Sequence, residues 1–159
     1  MERVILSGFS DEIGPDFDFQ LETIREFGLS HIELRAADGV NVSDFSPEKV
    51  KEVKNKLAGA GVSVSSIGSP IGKIGVEEDF APHLDKLKRT LEIQKELGAP
   101  YLRMFSFYMP KDRDPRDFRG EVLDRVGRMV EEAGRWDSVL LHENEKGIYG
   151  DSAPRCKEL

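Results

Sequence analysis

The sequence has little cysteine, little histidine and no long apolar run. Its single cysteine, Cys156, cannot form an intrachain disulfide, which excludes a disulfide-stapled fold and favours a reducing compartment. No segment is long and apolar enough for a transmembrane helix, and the apolar run near the N-terminus is too short for a signal peptide. We therefore expect a cytoplasmic protein with no membrane partner.

Basic residues are also scarce relative to acidic ones. The 159 residues include 23 Lys and Arg against 30 Asp and Glu, which gives a net charge of −7. A nucleic-acid partner is not expected, because binding phosphates requires a basic surface. The excess of acidic residues is still compatible with a small anionic substrate that is held by a local basic group.

What is present is an alternation of β-rich and helical segments. The strand candidates are Arg3–Phe9, His31–Arg35, Val62–Ile67, Tyr101–Tyr108 and Ser138–Asn144. Apolar residues between them recur with helical spacing, most clearly at Val122, Val126, Met129, Val130 and Ala133. Ser46-Pro47-Glu48 predicts a helix start, and helix ends are predicted at Gly28, Gly59 or Gly61, Gly98 and Gly134.

Strand–helix alternation predicts an α/β fold with parallel strands, and two architectures remain open. One is the first five strands of a (β/α)8 barrel, which typically needs about 250 residues. The other is a complete, open, doubly wound sheet of five strands. Asp151-Ser152-Ala153-Pro154 is typical of a helix start, although the sequence ends soon afterwards, so either this helix is short or the chain is part of a longer protein.

Polar side chains follow every predicted strand. In both architectures the carboxyl ends of the strands form the site of chemistry, so a shared polar site is predicted there, although loops are polar in any case. Glu33 is either catalytic or paired with Arg35 or another basic group. The candidate site residues are Glu12, Glu33, Ser66, Lys73, Tyr108, Glu143 and Glu145.

The most unusual stretch is 139–145, VLLHENE, where an apolar strand runs directly into charged residues. Side-chain alternation puts Glu143 and Glu145 on one face of this strand and His142 on the other. Two carboxylates on one buried face repel each other, which predicts a metal ion or a proton between them. Alternatively, Glu145 has already left the strand and pairs with Lys146 at the surface.

Five strand-end motifs carry a family resemblance. They are Gly8–Ile13 (GFSDEI), His31–Arg35 (HIELR), Ser65–Lys73 (SSIGSPIGK), Met104–Tyr108 (MFSFY) and Leu141–Asp151 (LHENEKGIYGD). Together they resemble the xylose isomerase-like sugar phosphate isomerase/epimerase family over the whole chain. The resemblance implies a (β/α)8 TIM barrel, of which residues 1–159 form a single partial domain that lacks the C-terminal strands.

The resemblance also implies chemistry. Members bind one divalent metal ion (Mn, Mg or Zn) through Glu, Asp, His and Glu, of which only the first, Glu143, has a match here, so the metal site is incomplete in this chain. Glu143 would be a ligand and an acid/base in a sugar or sugar-phosphate isomerase or epimerase that moves a proton through an enediolate. The small-molecule carbohydrate substrate would contact Glu12, Glu33, Ser66, Lys73, Tyr108 and Glu145.

Three other functions are weighed against this one. A lyase or dehydratase on the same barrel is the nearest alternative, because fold does not fix chemistry. A DNA-repair endonuclease is disfavoured, because it needs several metal ions, many histidines and a basic groove. A non-catalytic fragment that needs a missing half would expose open sheet edges, which invite self-association.

Overall fold

The computed structural model describes residues 4–159. Along these residues the helices and strands are α1 (Phe17–Glu26), β1 (His31–Leu34), β2 (Ala36–Ala37), β3 (Val40–Asn41), α2 (Pro47–Ala60), β4 (Ser63–Ile67), α3 (Phe80–Leu97), β5 (Tyr101–Met104), α4 (Arg119–Gly134), β6 (Val139–His142) and α5 (Ala153–Cys156). Short 3₁₀ helices span Ser10–Glu12, Val42–Asp44 and Pro115–Phe118. Among the described residues, none of the helices combines the length and the hydropathy needed to cross a bilayer.

The central sheet consists of β1, β4, β5 and β6, and its spatial order is the order of the sequence. Each neighbouring pair is parallel. A doubly wound sheet reverses its strand order at a switch point, and this sheet has no reversal within the described residues. The order is that of a (β/α)8 barrel left open, so the predicted partial barrel is confirmed and the doubly wound alternative is not.

The two faces of the sheet differ in burial. On one face, Ile32, Leu34 and Leu102 are fully buried in the core that the helices cover. Burying a side chain of this size contributes about 2 kcal/mol. On the other face, Val139 and Leu141 are 51% and 43% exposed. This second face corresponds to the interior of a barrel and is open here.

The helix ends follow the capping residues of the sequence. The Ser46 hydroxyl accepts a hydrogen bond from the Lys49 N–H at 3.2 Å, at the start of α2. Gly61 and Gly98 end α2 and α3 with φ of +67° and +69°. A residue with a side chain is strained at such φ values, so glycine sets the two endpoints.

The predicted first strand differs from the structure. Arg3 lies outside the described residues, and residues 4–8 have no strand structure. Phe9 makes an isolated parallel bridge with Glu33, whose N–H donates to the Gly8 carbonyl oxygen at 2.8 Å. The segment has a neighbour on one side only, so its apolar side chains gain little burial from strand pairing, and its β propensity is not realised.

Two further local differences concern turns. An antiparallel hairpin of β2 and β3 turns at Asp38-Gly39, whose φ values are +52° and +74°. Asp-Gly is a favoured pair for such a turn. The predicted strand to Tyr108 ends at Met104, because the Phe105 N–H donates to the Ile71 carbonyl oxygen at 2.7 Å and leaves the sheet.

Candidate functional site

Arg103 lies at the centre of the polar side chains at the carboxyl end of the sheet. Its neighbours in β5 are buried against the helices, so alternation points Arg103 to the open face. Its guanidinium donates to Glu143 Oε2 at 3.2 Å and to the Gly68 and Ser69 carbonyl oxygens at 3.1 and 3.2 Å. The Ser69 hydroxyl in turn donates to the Arg103 carbonyl oxygen at 2.5 Å. These bonds tie β5, β6 and the loop after β4 together.

A row of alternating cations and aromatic rings crosses this site. Arg35 Cζ and Arg103 Cζ each lie 4.9 Å from the centre of the Phe9 ring. Arg103 Cζ is also 4.9 Å from the Phe105 ring centre, and Lys73 Nζ is 4.2 Å from it. Cation–π contacts of this kind contribute about 0.5–2 kcal/mol each. The cation–aromatic row, Arg35, Phe9, Arg103, Phe105 and Lys73, thus restrains three basic side chains.

The first cation of the row holds two carboxylates. Arg35 Nε donates to Asp11 Oδ2 at 2.7 Å, and Arg35 Nη2 donates to Glu12 Oε1 at 2.5 Å. These hydrogen bonds, chiefly the one to Asp11, raise the pKa of Arg35 above its ordinary value. Asp11 Oδ1 is buried and has no hydrogen-bond partner among the described residues. Glu12 itself is mostly exposed.

The last cation of the row belongs to a second cluster. Lys73 Nζ lies 2.6 Å from Glu145 Oε2, and the Tyr108 hydroxyl donates to Glu145 Oε1 at 3.4 Å. The three residues follow β4, β5 and β6, and each is about one third exposed. Exposed ion pairs are weak, about 0–1 kcal/mol, so a ligand can exchange for these bonds. The cluster offers both donors and acceptors to a polar ligand.

Glu143 follows β6 directly and is 43% exposed. Arg103 pairs with its Oε2, whereas Oε1 has no hydrogen-bond partner within residues 4–159. A carboxylate oxygen of this kind suits a hard divalent cation. However, the described residues contain no group of three or more His, Cys, Asp or Glu side chains that could hold a metal. Glu143 can thus supply one ligand of a metal site, not a whole site.

Each of the two carboxylates of the VLLHENE stretch is paired with a basic side chain. The strand ends at His142, so both glutamates have left it. Arg103 neutralises Glu143, and Lys73 neutralises Glu145, instead of the surface residue Lys146. The predicted repulsion is therefore relieved by two basic side chains, without requiring a metal ion between them.

Glu33 and Ser66 lie deeper in the sheet than Arg103, and His142 faces away from the open face. Glu33 and Ser66 are direct partners across β1 and β4, one layer below Arg103, and Ser66 is buried. His142 points to the helix side, where its Nε2 lies 3.0 Å from the Ser106 hydroxyl oxygen. Burial lowers the pKa of His142.

Gly72 fixes the segment that carries Lys73. Its φ is +89°, and a Cβ at this position would lie 2.0 Å from the Phe105 carbonyl oxygen. The Gly72 N–H donates to His83 Nε2 at 2.7 Å. His83 is buried, and desolvation, together with the nearby positive charges of Lys86 and Arg125, lowers its pKa from 6.5 to about 4.

Arg103 and the two phenylalanines of the row are not among the candidate site residues predicted from the sequence. Phe105 is buried in the manner of a core residue, yet its ring also contacts two cations of the site. One signal was available for Arg103: it is the charged residue of the strand YLRM and alternates with two apolar residues.

The family model described as "Xylose isomerase-like TIM barrel" matches residues 21–159. The chain belongs to this family. None of the curated proteins matches the sequence significantly. Family membership and the sheet order agree on the same partial barrel.

Several solved structures share the fold of this chain at low sequence identity. A xylose isomerase-like TIM barrel protein from Mycobacterium smegmatis, in complex with magnesium, has a TM-score of 0.75 at 18% identity, over 96% of this chain and 58% of that one. A 3-keto-D-glucoside 4-epimerase from E. coli has a TM-score of 0.70 at 20% identity, over 97% and 62%. A probable 3-DHS dehydratase from Bacillus anthracis has a TM-score of 0.77 at 17% identity, over 98% and 57%. The chain thus spans about three fifths of the length of these structures.

Proposed function

We propose that this chain carries part of the active site of a metal-dependent isomerase or epimerase that acts on a sugar or a sugar phosphate. The observation that carries the proposal is the convergence of Lys73, Tyr108 and Glu145, beside Glu143, from three successive strand ends. Membership of the xylose isomerase-like family supports it, as does the similarity to a sugar epimerase.

Glu143 is the proposed metal ligand of this chain. Its Oε1 is the oxygen that would contact a divalent cation, while Arg103 retains Oε2. The similar Mycobacterium smegmatis protein is described with magnesium, which supports a divalent cation as the bound group. When bound, the cation would stabilise negative charge that develops on the substrate oxygens as a proton is removed beside the carbonyl group.

The Lys73, Tyr108 and Glu145 cluster is the proposed hydroxyl-binding part of the site. The ammonium group donates hydrogen bonds, the carboxylate accepts them, and the phenol does both. A sugar that replaces the weak bond between Tyr108 and Glu145 can therefore satisfy the same atoms. Lys73 can also pair with a phosphate if the sugar carries one. Glu12, Glu33 and Ser66 stay proposed contacts for the remainder of the substrate.

Proton transfer is the proposed reaction step. A carboxylate removes the proton beside the substrate carbonyl, which gives an enediolate, and the proton returns at the neighbouring carbon or on the opposite face. With Oε2 on Arg103 and Oε1 assigned to the cation, Glu143 has no oxygen left to accept this proton, so its proposed role in this step is that of a ligand.

The test is to incubate the full-length protein with a panel of ketoses, aldoses and their phosphates in D2O, with Mn²⁺, Mg²⁺ or EDTA. Isomerisation or epimerisation through an enediolate exchanges the proton beside the carbonyl for deuterium, which NMR detects. We expect metal-dependent deuterium incorporation into one sugar. No exchange with any substrate or metal would contradict the proposal.

A dehydratase is the second candidate, favoured by the high TM-score of the probable 3-DHS dehydratase. Dehydration of a keto acid produces a conjugated product with strong ultraviolet absorption. A metal-dependent rise in absorbance with a hydroxylated keto acid, without sugar epimerisation, would establish this alternative.

A further inference from the structure

Arg103 is firmly anchored in the site, yet the proposed reaction assigns it no role. Its guanidinium contacts Glu143 Oε2 at 3.2 Å and also holds two backbone carbonyl oxygens of the loop after β4. Its Cζ lies 4.9 Å from the ring centres of both Phe9 and Phe105. With 13% of the side chain exposed, Arg103 has little surface left for a substrate.

We propose that Arg103 is the positioning residue of Glu143: it holds Oε2 and leaves Oε1 for the divalent cation. This inference rests on the proposed function. Glu143 lies just past the end of β6, so the strand itself does not fix its carboxylate. A planar guanidinium already anchored on two carbonyls and two rings can fix it, because it has little freedom to follow a moving partner.

The proposal makes a prediction about metal affinity. Groups that orient a metal ligand typically contribute about 10–100-fold to affinity. In the full-length protein without substrate, Arg103→Met should weaken Mn²⁺ binding by at least about tenfold, as measured by electron paramagnetic resonance titration. Arg103→Lys keeps the charge but loses the fork geometry, so it should weaken binding less. Arg25→Met, an exposed position on α1, is the matched control and should bind Mn²⁺ normally.

A double-mutant cycle separates positioning from a general structural role. If Arg103 acts through Glu143, Arg103→Met should change Mn²⁺ affinity by less than about twofold in a Glu143→Ala background. An equal loss in both backgrounds would overturn the proposal, as would wild-type affinity in Arg103→Met. Melting in EDTA checks that each variant is folded, and if Arg103→Met is not, Arg103→Lys takes its place in the cycle.

The outcomes also separate this inference from the proposed function. A wild-type protein that binds no divalent cation overturns both. A wild-type protein that binds Mn²⁺ but converts no carbohydrate overturns the proposed reaction, while the affinity comparison still decides the role of Arg103.

Discussion

His83 Nε2 accepts a hydrogen bond from the backbone N–H of Gly72 at 2.7 Å. The acceptor nitrogen must be unprotonated, so the folded protein requires a neutral imidazole here. His83 also packs near the rings of Phe80 and Phe107. Because Gly72 directly precedes Lys73, this hydrogen bond fixes the start of the segment that reaches Glu145.

The stability of the chain should depend on the protonation of His83. Its pKa is lowered from 6.5 to about 4 in the folded state, so the unfolded state binds more protons between these pH values. The free energy of unfolding should therefore have its full His83 contribution above about pH 6.5 and lose up to about 3 kcal/mol as the pH falls to about 4. Urea unfolding at several pH values measures this.

The control for that titration is His83→Gln, whose amide oxygen can accept the same hydrogen bond without titrating. Its stability should fall less steeply than that of the wild type between pH 6.5 and 4. Parallel pH profiles for the two proteins would show that His83 does not contribute.

Replacing Gly72 by alanine should be strongly destabilising. The new Cβ would meet the Phe105 carbonyl oxygen at 2.0 Å, and the φ of +89° disfavours any side chain. We expect a loss of more than about 3 kcal/mol in the free energy of unfolding, measured in urea. Gly127→Ala is the matched control, because Gly127 lies within α4 with open space around it, and should stabilise by up to about 1 kcal/mol. Similar values for both variants would refute the close approach of the two backbones.

Lys73→Met should weaken substrate binding more than folding. Losing a charge-assisted hydrogen bond to the substrate costs about 1.5–3 kcal/mol, equivalent to about 10–100-fold in kcat/KM, mainly through KM. Steady-state kinetics of the full-length protein on the substrate found by deuterium exchange measures the effect. Lys88→Met, on the exposed side of α3, should leave kcat/KM unchanged. Unchanged kinetics in Lys73→Met would remove Lys73 from the site.

The two faces of the sheet predict different costs for the same substitution. In the 159-residue chain, Leu102→Ala should cost about 2–5 kcal/mol, because Leu102 is fully buried in the core. Leu141→Ala, on the open face at 43% exposure, should cost less than about 1 kcal/mol. Urea unfolding of both variants measures this difference. Equal costs would mean that the open face is covered in solution.

The regular elements could be predicted because their signals are local. The Ser46-Pro47-Glu48 start and the glycine ends depend on capping chemistry within one turn of a helix. The strand at Arg3–Phe9 could not be judged in this way, because a strand forms only if neighbouring strands pair with it. The Asp38-Gly39 turn also has a local signal, because Asp-Gly is a favoured pair for a two-residue hairpin turn.

The clustering of polar side chains at the strand ends was predictable, whereas their partners were not. Strand-end polarity identified Lys73, Tyr108 and Glu145, which the structure brings into contact. The partners of Glu143 and Glu145 were not predictable, because they come from other strands and depend on register and loop path. The role of Phe9 was hidden for the same reason: an aromatic residue near a strand end looks the same whether it fills a core or stacks on a guanidinium.

The cation–aromatic row constrains which substitutions the chain can accept. A guanidinium stacks on the negative face of an aromatic ring, and an aliphatic side chain of equal volume has no such face. In a library randomised at Phe9 and Phe105 and selected for a folded, active protein, survivors should be enriched in Tyr and Trp and depleted of Leu and Met. The row would then restrict Phe9 and Phe105 to aromatic residues, although side-chain volume alone would allow any large apolar residue at both positions.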